Sequence, residues 1–209
     1  MSSYRIIRSE ADLAEGAAWL SERDPHMGRA ISEIGTLPLR LRPDGFKGLL
    51  DIIVSQQVSV ASADAIRLRM AAAGVADEGD VQKAGEAGLR ALGFSRAKAR
   101  YALALAERGI DYGHLRLLPD GAVIERLCEV KGIGPWTAQV YVMFCLGRAD
   151  VLPAGDLALQ EAARALYALP ERPAPKVLAE RAEAWSPWRS VAARALFAYY
   201  RLVKNREGL

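Results

Sequence analysis

Two glycines with one apolar residue between them form the segment of this chain best suited to binding chemistry. Gly132 and Gly134 flank Ile133, Lys131 precedes them, and Pro135 follows in the first turn of a predicted helix. Glycines allow a tight turn and a close approach of the backbone to another surface. The amides at the helix N-terminus can then bind a phosphate without a charged side chain. The segment predicts a phosphate-binding turn, with a plain connection between two helices as the alternative.

An aspartate follows at the end of a second loop, Val-Leu-Pro-Ala-Gly-Asp, residues 151–156. Asp156 precedes a predicted helix, and aspartate is a common N-cap because its carboxylate accepts hydrogen bonds from the first amides. The positive end of the helix dipole favours a negative charge at this place. A carboxylate fixed there can stabilise a developing positive charge or orient a water molecule. Capping and catalysis are both open for Asp156, and they are compatible.

The scarcity of histidine and cysteine narrows the chemistry further. The chain has two histidines, His26 and His114, and two cysteines, Cys128 and Cys145. Two thiols cannot build a disulfide framework, a four-thiolate iron–sulfur cluster or a cysteine-rich zinc site. We expect both histidines at the surface, which excludes most schemes that need a positioned imidazole. Carboxylates, backbone groups and aromatic rings must therefore carry the chemistry.

Length and charge set the broad class of the protein. A chain of 209 residues suits one domain or two small lobes with a proper core. The net charge of +3 permits a nucleic-acid partner without requiring one. No apolar run approaches the roughly 18 residues of a membrane helix, so we expect no membrane association. The first residues contain no apolar signal core, which predicts a cytoplasmic location.

Alanine clusters and helical spacing of apolar residues predict an all-α fold, because strand signals are scarce. A proline-rich segment, residues 170–175, separates two of the helices. The last helix is expected to start at Ser186-Pro187, with the proline in its first position, and to end near Val203. The other helices are predicted at about residues 10–22, 46–53, 62–70, 95–107, 121–128, 136–146, 156–168 and 175–185.

Four segments, in order and spacing, resemble the HhH-GPD superfamily of base-excision DNA glycosylases. Within it the chain is similar to the 3-methyladenine DNA glycosylase II (AlkA) type, over about residues 10–203. The resemblance implies a compact form without the N-terminal β-domain of the larger members. The segments are GFKGLLDIIVSQQVSVASADAI (45–66), GIGPWTAQ (132–139), VLPAGDLALQ (151–160) and AEAWSPWRSVAARAL (182–196).

The resemblance gives Asp156 a catalytic role. Cleavage of an N-glycosidic bond passes through an oxocarbenium-like sugar, which a fixed negative charge stabilises. Bifunctional members carry a lysine just after the hairpin that attacks the sugar, and here that place is Trp136. Without an amine nucleophile β-elimination lacks its main agent. The resemblance therefore implies a monofunctional enzyme that leaves an abasic site in an intact strand.

Aromatic residues are the candidates for the pocket that receives a flipped base. Trp136 is the expected stacking platform, with a role in the core as the alternative. By resemblance Phe197 occupies a place usually held by a pocket tryptophan, and Gln56 also belongs to the pocket. The family pattern has a tyrosine where this chain has Val140. Tyr141 comes one residue later, which on a helix is a rotation of about 100°, so its pocket role is an open expectation.

DNA contacts are predicted at a wedge residue, at two basic clusters and at the hairpin. The resemblance assigns Gln57 as the wedge that fills the gap left by the flipped base, with a plain solvated loop as the alternative. Two basic clusters could add phosphate contacts, and only one or two of their members are expected to do so: Arg96, Lys98 and Arg100, and Arg189, Arg194, Arg201, Lys204 and Arg206. The hairpin residues expected at the DNA backbone are Lys131, Gly132, Gly134, Thr137 and Ala138.

No cofactor is expected to be required. The resemblance implies that backbone carbonyls at the hairpin could hold a monovalent cation, Na⁺ or K⁺, that bridges to phosphate. The matching positions are Cys128, Val130 and Gly132.

The predicted architecture has two helical lobes, residues 45–148 with the hairpin at 127–138, and residues 1–44 with 149–209. Asp156 is expected to face Trp136 across the cleft between them. The predicted function is hydrolytic removal of alkylated bases, such as 3-methyladenine and 7-methylguanine, from double-stranded DNA by a monomer. One alternative is a shifted lesion range: 1-methyladenine, 3-methylcytosine, hypoxanthine or ethenoadenine. The other is a non-catalytic helix-hairpin-helix protein that binds DNA.

Overall fold

The computed structural model describes residues 4–206, with the side chain of Arg206 outside the description. The predicted all-α fold is confirmed: within the described residues the extended structure is a single bridge between Ile6 and Arg148. The helices are α1 Glu10–Arg23, α2 Pro25–Ile34, α3 Phe46–Ser55, α4 Val60–Ala72, α5 Glu78–Ala91, α6 Arg96–Glu107, α7 Tyr112–Leu115, α8 Asp120–Cys128, α9 Pro135–Phe144, α10 Leu157–Leu166, α11 Pro175–Ala182 and α12 Arg189–Arg206.

Helices α2, α5 and α7 were not predicted, and each begins after an aspartate whose side chain caps it. Asp24, Asp77 and Asp111 accept hydrogen bonds from backbone amides of the first turn. The apolar periodicity of α5 is weakened by its glycines, and Gly85 inside it has a φ of 60°. Capping thus marks these helices better than their apolar faces do.

The start of the last helix was predicted wrongly. Pro187 does not occupy its first turn, because the Ser186–Pro187 peptide bond is cis and the helix begins at Arg189. A 3₁₀ turn, Glu183–Trp185, precedes it.

Two compact units are present, and the predicted boundaries at residues 45 and 148 stay a prediction. The aspartate unit comprises residues 4–41 and 147–206 of the described chain, and the hairpin unit comprises Arg42–Leu146. In the aspartate unit α12 packs against α1, α2 and α10. The approach of α12 to α1 is close: a Cβ on Gly16 would lie 2.7 Å from atoms of Trp188 and Val191.

In the hairpin unit α3 is the central helix and packs against α4, α6 and α9. Most of its residues are buried, with Leu49, Ile52, Ile53 and Val54 fully covered, while Lys47 is exposed. A helix with such a broad apolar face belongs in a core. The helices that pack against α3 can therefore also contact the loops before and after it.

Residues 4–206 contain no helix with both the length and the apolar character needed to cross a bilayer.

Candidate functional site

The hairpin between α8 and α9 is built around Ile133. Its side chain is 3% exposed and anchors the turn in the hairpin unit, as predicted. The amide of Val130 donates to the Leu127 carbonyl, and the amide of Ile133 donates to the Val130 carbonyl, both at 3.0 Å. These bonds close the turn from within. Gly134 is exposed, whereas Gly132 faces a neighbouring helix.

Gly132 is required in this turn for two reasons. Its φ of 91° lies in the left-handed region, which favours glycine. A Cβ at this position would lie 2.0 Å from Cγ of Tyr101, which extends from α6. Side chains of other helices therefore support the hairpin from behind.

The open side of the hairpin is the N-terminus of α9. Gly134 is its N-cap and contributes no capping side chain, and Pro135 follows. Apart from its chain neighbours, no atom of the described residues lies within 4 Å of the place where a Cβ on Gly134 would be. The first turn of a helix carries amides without intrahelical partners, so an anion can approach here.

Two of the residues predicted to bind the DNA backbone have other tasks. The amide of Ala138 donates to the Gly134 carbonyl at 3.1 Å, the first bond of the helix, and its side chain is fully buried. The Thr137 side chain is 3% exposed, and its hydroxyl accepts a bond of 2.9 Å from Gln56. We had expected amides from both places, but the helix itself uses the one at Ala138.

Gln56 braces the hairpin. Its Nε2 donates to the Gly132 carbonyl at 3.1 Å and to the Thr137 hydroxyl at 2.9 Å. The pocket role predicted for Gln56 remains untested, but its amide nitrogen is engaged with the hairpin. No local pattern predicts these two hydrogen bonds, because the partners are 76 and 81 positions away.

Gln57 stands at the turn between α3 and α4 with an exposed side chain. Its φ of 52° places it in the left-handed region, which is unusual for a residue with a side chain. The neighbouring Val58 and Val60 are 41% and 78% exposed. The turn therefore presents one amide and two small apolar side chains to the outside.

Tyr141 does not fit the pocket role. Its ring is fully buried, and its hydroxyl donates to Asp44 and accepts from the Gly45 amide. Burial, followed by the hydrogen bond to Asp44, raises the pKa of Tyr141. A covered ring cannot stack on a base, so the prediction is wrong. The one-residue offset from Val140 turns the ring into the core, where it holds the loop before α3.

Trp136 and Phe197 are both half-buried. Trp136 lies in the first turn of α9 in the hairpin unit, and Phe197 lies on α12 in the aspartate unit. The partial exposure of each ring is compatible with the predicted stacking, which stays a prediction.

Asp156 is the N-cap of α10. Its Oδ1 accepts from the amides of Ala158 at 2.8 Å and Leu159 at 3.4 Å, and its side chain is partly exposed. The preceding turn is tight, since the Asp156 amide donates to the Pro153 carbonyl at 2.9 Å. The predicted cap is confirmed, and it holds the carboxylate at the positive end of a helix.

Two buried polar residues that sequence reasoning missed fix the loop before Asp156. Gln160 is 4% exposed and its Nε2 donates to the Ala154 carbonyl at 2.8 Å. The fully buried Ser190 hydroxyl accepts from the Val151 amide at 3.1 Å and donates to the Val151 carbonyl at 2.9 Å. Gln160, a glutamine four residues after the cap, was a usable signal. Ser190 offered none.

An ion pair anchors the start of the same loop. Nε and Nη2 of Arg189 donate to Asp150 at 2.8 and 2.9 Å, and the Ser186 hydroxyl donates at 2.8 Å. Burial alone would raise the pKa of Asp150, but the hydrogen bonds from Arg189 and Ser186 outweigh it and lower that pKa.

The first basic cluster is engaged within the hairpin unit. Nε of Arg96 and of Arg100 pair with Glu86 at 3.3 and 3.1 Å. Lys98 does not lie on the surface: it is 7% exposed, and its Nζ donates to the Val54 carbonyl at 2.7 Å. Such a burial is unexpected from sequence, because lysines in alanine-rich helices are usually solvated.

Some residues of the C-terminal basic cluster are also engaged within their own unit. Arg189 is bound to Asp150, and Arg194 is 1% exposed and donates to the Leu39 carbonyl. Burial lowers the pKa of Arg194 to about 10. Arg201 and Lys204 are exposed. The side chain of Arg206 lies outside the described residues.

The hairpin carbonyls fit a monovalent cation in part. The Val130 carbonyl accepts from the Ile133 amide, and the Gly132 carbonyl accepts from Gln56. A carbonyl oxygen has a second lone pair, so neither bond excludes a cation. Among residues 4–206 no group of three His, Cys, Asp or Glu side chains is placed to hold a metal ion.

Comparison with known proteins adds to this geometry. Residues 50–187 match the model of the HhH-GPD superfamily base excision DNA repair proteins. The DNA-3-methyladenine glycosylase 1 of Schizosaccharomyces pombe is 29% identical over 195 residues, 87% of this chain and 85% of that protein. The Bacillus subtilis protein YfjP is 34% identical over 113 residues, 52% of this chain, and this match spans 39% of the length of YfjP.

A solved structure is similar over most of the fold. The Schizosaccharomyces pombe 3-methyladenine DNA glycosylase Mag1, in complex with abasic DNA, superposes with a TM-score of 0.81 at 28% sequence identity. The match covers 88% of this chain and 95% of that one.

Proposed function

Because the chain belongs to the HhH-GPD superfamily of base excision DNA repair proteins, we propose that it is a monofunctional DNA glycosylase. It hydrolyses the N-glycosidic bond of alkylated bases, of the 3-methyladenine and 7-methylguanine type, in double-stranded DNA. The observation that carries the proposal is that one chain contains both a hairpin with an open helix N-terminus and an Asp156 carboxylate fixed by its own helix cap.

Asp156 carries the chemistry in this proposal. When the glycosidic bond breaks, positive charge develops on the sugar, and a fixed carboxylate stabilises that charge and orients the water that attacks C1′. The proton released by the water ends in solvent, and the bond electrons leave with the base. Gln160 and Ser190 keep the carboxylate in place through the loop backbone.

The choice of substrate follows from the charge of the base. An N-alkylated purine is cationic, so it leaves without protonation by a general acid, and an electron-rich ring attracts it through a cation–π interaction. Trp136 is the ring we assign to this role, and Phe197 is the second candidate. That Trp136 and Asp156 act on the same nucleotide stays a prediction.

DNA is held through its backbone. The amides at the N-terminus of α9 bind phosphate, and Lys131, which is exposed, adds a cation beside them. Gln57 enters the gap left by the flipped base. Cys128, Val130 and Gly132 offer the carbonyls for a bridging Na⁺ or K⁺, and no other cofactor belongs to the proposal. The enzyme is assigned to the cytoplasm and acts as a monomer.

A panel of duplexes with one modified base each tests the proposal. We expect release of 7-methylguanine or 3-methyladenine as the free base, with strand scission only after alkali. Scission without alkali would contradict the monofunctional assignment. Release confined to 1-methyladenine, 3-methylcytosine, hypoxanthine or ethenoadenine would show that the enzyme is a glycosylase with a different lesion range. Equal binding of damaged and undamaged duplex with no base release would favour a non-catalytic DNA-binding protein.

A further inference from the structure

Lys98 is a buried charge that the proposed reaction does not use. Its side chain is 7% exposed, and its Nζ donates to the Val54 carbonyl at 2.7 Å. In the described part of the chain no carboxylate pairs with it. Burial lowers the pKa of the Lys98 ammonium. Burying an ammonium without a carboxylate costs free energy of folding. We therefore looked for what the buried ammonium of Lys98 stabilises.

The partner of Lys98 is a carbonyl in the last turn of α3. That turn leaves carbonyls without intrahelical partners and carries the negative end of the helix dipole. Val54 is fully buried, so water cannot satisfy its carbonyl. The ammonium of Lys98 therefore closes the end of α3 from a neighbouring helix.

The residues that follow this helix end are the ones that meet DNA in our proposal. Gln56 is the C-cap of α3 and donates two hydrogen bonds to the hairpin. Gln57 comes next, exposed and with a φ of 52°. A left-handed conformation in a residue with a side chain persists only where its surroundings enforce it. Lys98 bonds the helix end three residues before Gln57, and the neighbouring Gln56 is bonded to the hairpin.

The same helix supports the hairpin directly. Tyr101 lies three positions after Lys98 on α6, which places both on one face of the helix. Its ring packs against Gly132, where a Cβ would lie 2.0 Å from Cγ. One face of α6 thus holds the wedge turn through Lys98 and the phosphate-binding turn through Tyr101.

We propose that Lys98 is a positioning residue for base flipping: by bonding the C-terminus of α3 it sets the direction in which Gln57 enters the duplex. This inference rests on the proposed function and on the wedge role of Gln57. It predicts that loss of Lys98 slows base excision because Gln57 is misplaced. This slowing should be seen in the folded protein, in addition to any loss of stability.

The test is a double-mutant cycle on single-turnover excision from a duplex with one 7-methylguanine. The variants are Lys98→Met, Gln57→Ala and the double variant, each measured where circular dichroism shows full folding. Lys98→Met keeps the length of the side chain and removes the charge and the donor. We expect each single change to slow excision about tenfold, as for loss of one hydrogen bond to a charged group. The double variant should be slowed by a similar factor, because both changes disable one device.

Leu105→Ala is the matched control for a purely structural effect. Leu105 is 1% exposed on the same helix, further from the turn. We expect Leu105→Ala to lower the melting temperature and to leave the rate of the folded protein within about twofold of wild type. If Lys98→Met fails to fold, Lys98→Gln replaces it, since glutamine is neutral and too short to reach the Val54 carbonyl.

The outcomes separate this inference from the proposed function. A wild-type rate in Lys98→Met, or a double variant slowed by the product of the single factors, about a hundredfold, would overturn the role of Lys98 and leave the glycosylase proposal standing. Absence of base release by the wild type would overturn both. Non-additive loss in the cycle, with an unaffected Leu105→Ala rate, would support the inference.

Discussion

The two units hold their functional groups by different means. In the hairpin unit the proposed phosphate-binding group is backbone, and it is fixed by side chains that are distant in sequence, such as Gln56, 76 positions from Gly132. In the aspartate unit the proposed catalytic group is a side chain that its own helix cap holds directly. Distant side chains act on the first group itself, whereas in the aspartate unit they act on the loop before Asp156.

The units also differ in how they carry buried charge. In the aspartate unit burial opposes ionisation of Asp24 and Asp150, but hydrogen bonds outweigh it and lower the pKa of each. In the hairpin unit burial raises the pKa of Asp51 despite Arg67 nearby, and lowers that of Lys98. Folding therefore favours the charged forms of Asp24 and Asp150 and disfavours that of Asp51. For the buried cations the units agree, because burial lowers the pKa of Arg194 in the aspartate unit as it does that of Lys98.

The largest expected effect is at the supported hairpin. Gly132→Ala places a Cβ against the Tyr101 ring at a left-handed φ. We expect a loss of about 3 kcal/mol in the free energy of unfolding, from steric overlap and backbone strain together. Denaturant unfolding monitored by circular dichroism measures it.

Gly134→Ala is the matched control two residues away. Gly134 has a φ of −93°, and no atom lies within 4 Å of the added Cβ. We expect a stability change below about 1 kcal/mol and weaker DNA binding, since the methyl group stands where a phosphate approaches. Equal destabilisation by both substitutions would contradict the difference between the buried and open sides of the hairpin.

The next effect is on the aspartate loop. Gln160→Leu removes the donor to the Ala154 carbonyl and lets the loop before Asp156 move. We expect single-turnover excision to fall about 30-fold, because small displacements of a catalytic group are costly. Gln82→Leu removes a similar bond, to the Ala106 carbonyl at 2.9 Å, in the hairpin unit. Gln82 is exposed, so its loss should cost less stability than that of Gln160 and leave the rate of the folded enzyme unchanged. A slower rate in Gln82→Leu would contradict a specific role of Gln160.

Some features of these loops could be predicted from the sequence and others could not. The cap at Asp156 and the inward Ile133 follow from local rules and were predicted. The bracing by Gln56 and the buried Lys98 join residues far apart in sequence, and no periodicity announces them. The pocket role predicted for Tyr141 was wrong, because a shift of one residue along a helix turns a side chain from the pocket into the core.

A smaller effect is the pH dependence of the stability that buried carboxylates contribute in the two units. Because the pKa of Asp150 is lowered on folding, its contribution to stability is present above the unfolded value near 4 and is lost as pH falls through the folded pKa. Asp150→Asn should cost about 2 kcal/mol at pH 7, and the difference from wild type should shrink towards pH 3. Urea unfolding across that range measures it.

Asp51→Asn provides the opposite slope. The pKa of Asp51 is raised on folding, so its charge opposes folding above the folded pKa, and that penalty fades as pH falls. Wild type should therefore gain stability relative to Asp51→Asn on acidification. Parallel pH profiles for Asp51→Asn and Asp150→Asn would contradict the electrostatic contrast between the units.

The smallest effect concerns the exposed cation at the hairpin. Lys131→Ala should weaken duplex binding modestly and lower the slope of log K against log salt by about 0.9, the value for one phosphate contact. Arg100→Ala, in which the lost arginine is already paired with Glu86, should change the slope less. Fluorescence anisotropy at several salt concentrations compares the two, and identical slopes would remove Lys131 from the interface.

Asp156→Asn tests whether the Asp156 carboxylate stabilises the sugar cation. Asparagine is also a good helix cap, so the fold and the melting temperature should be kept while the charge is lost. Single-turnover release of 7-methylguanine from duplex DNA should fall by at least about a hundredfold, with duplex binding retained. Release at the wild-type rate by a folded Asp156→Asn protein would contradict the account.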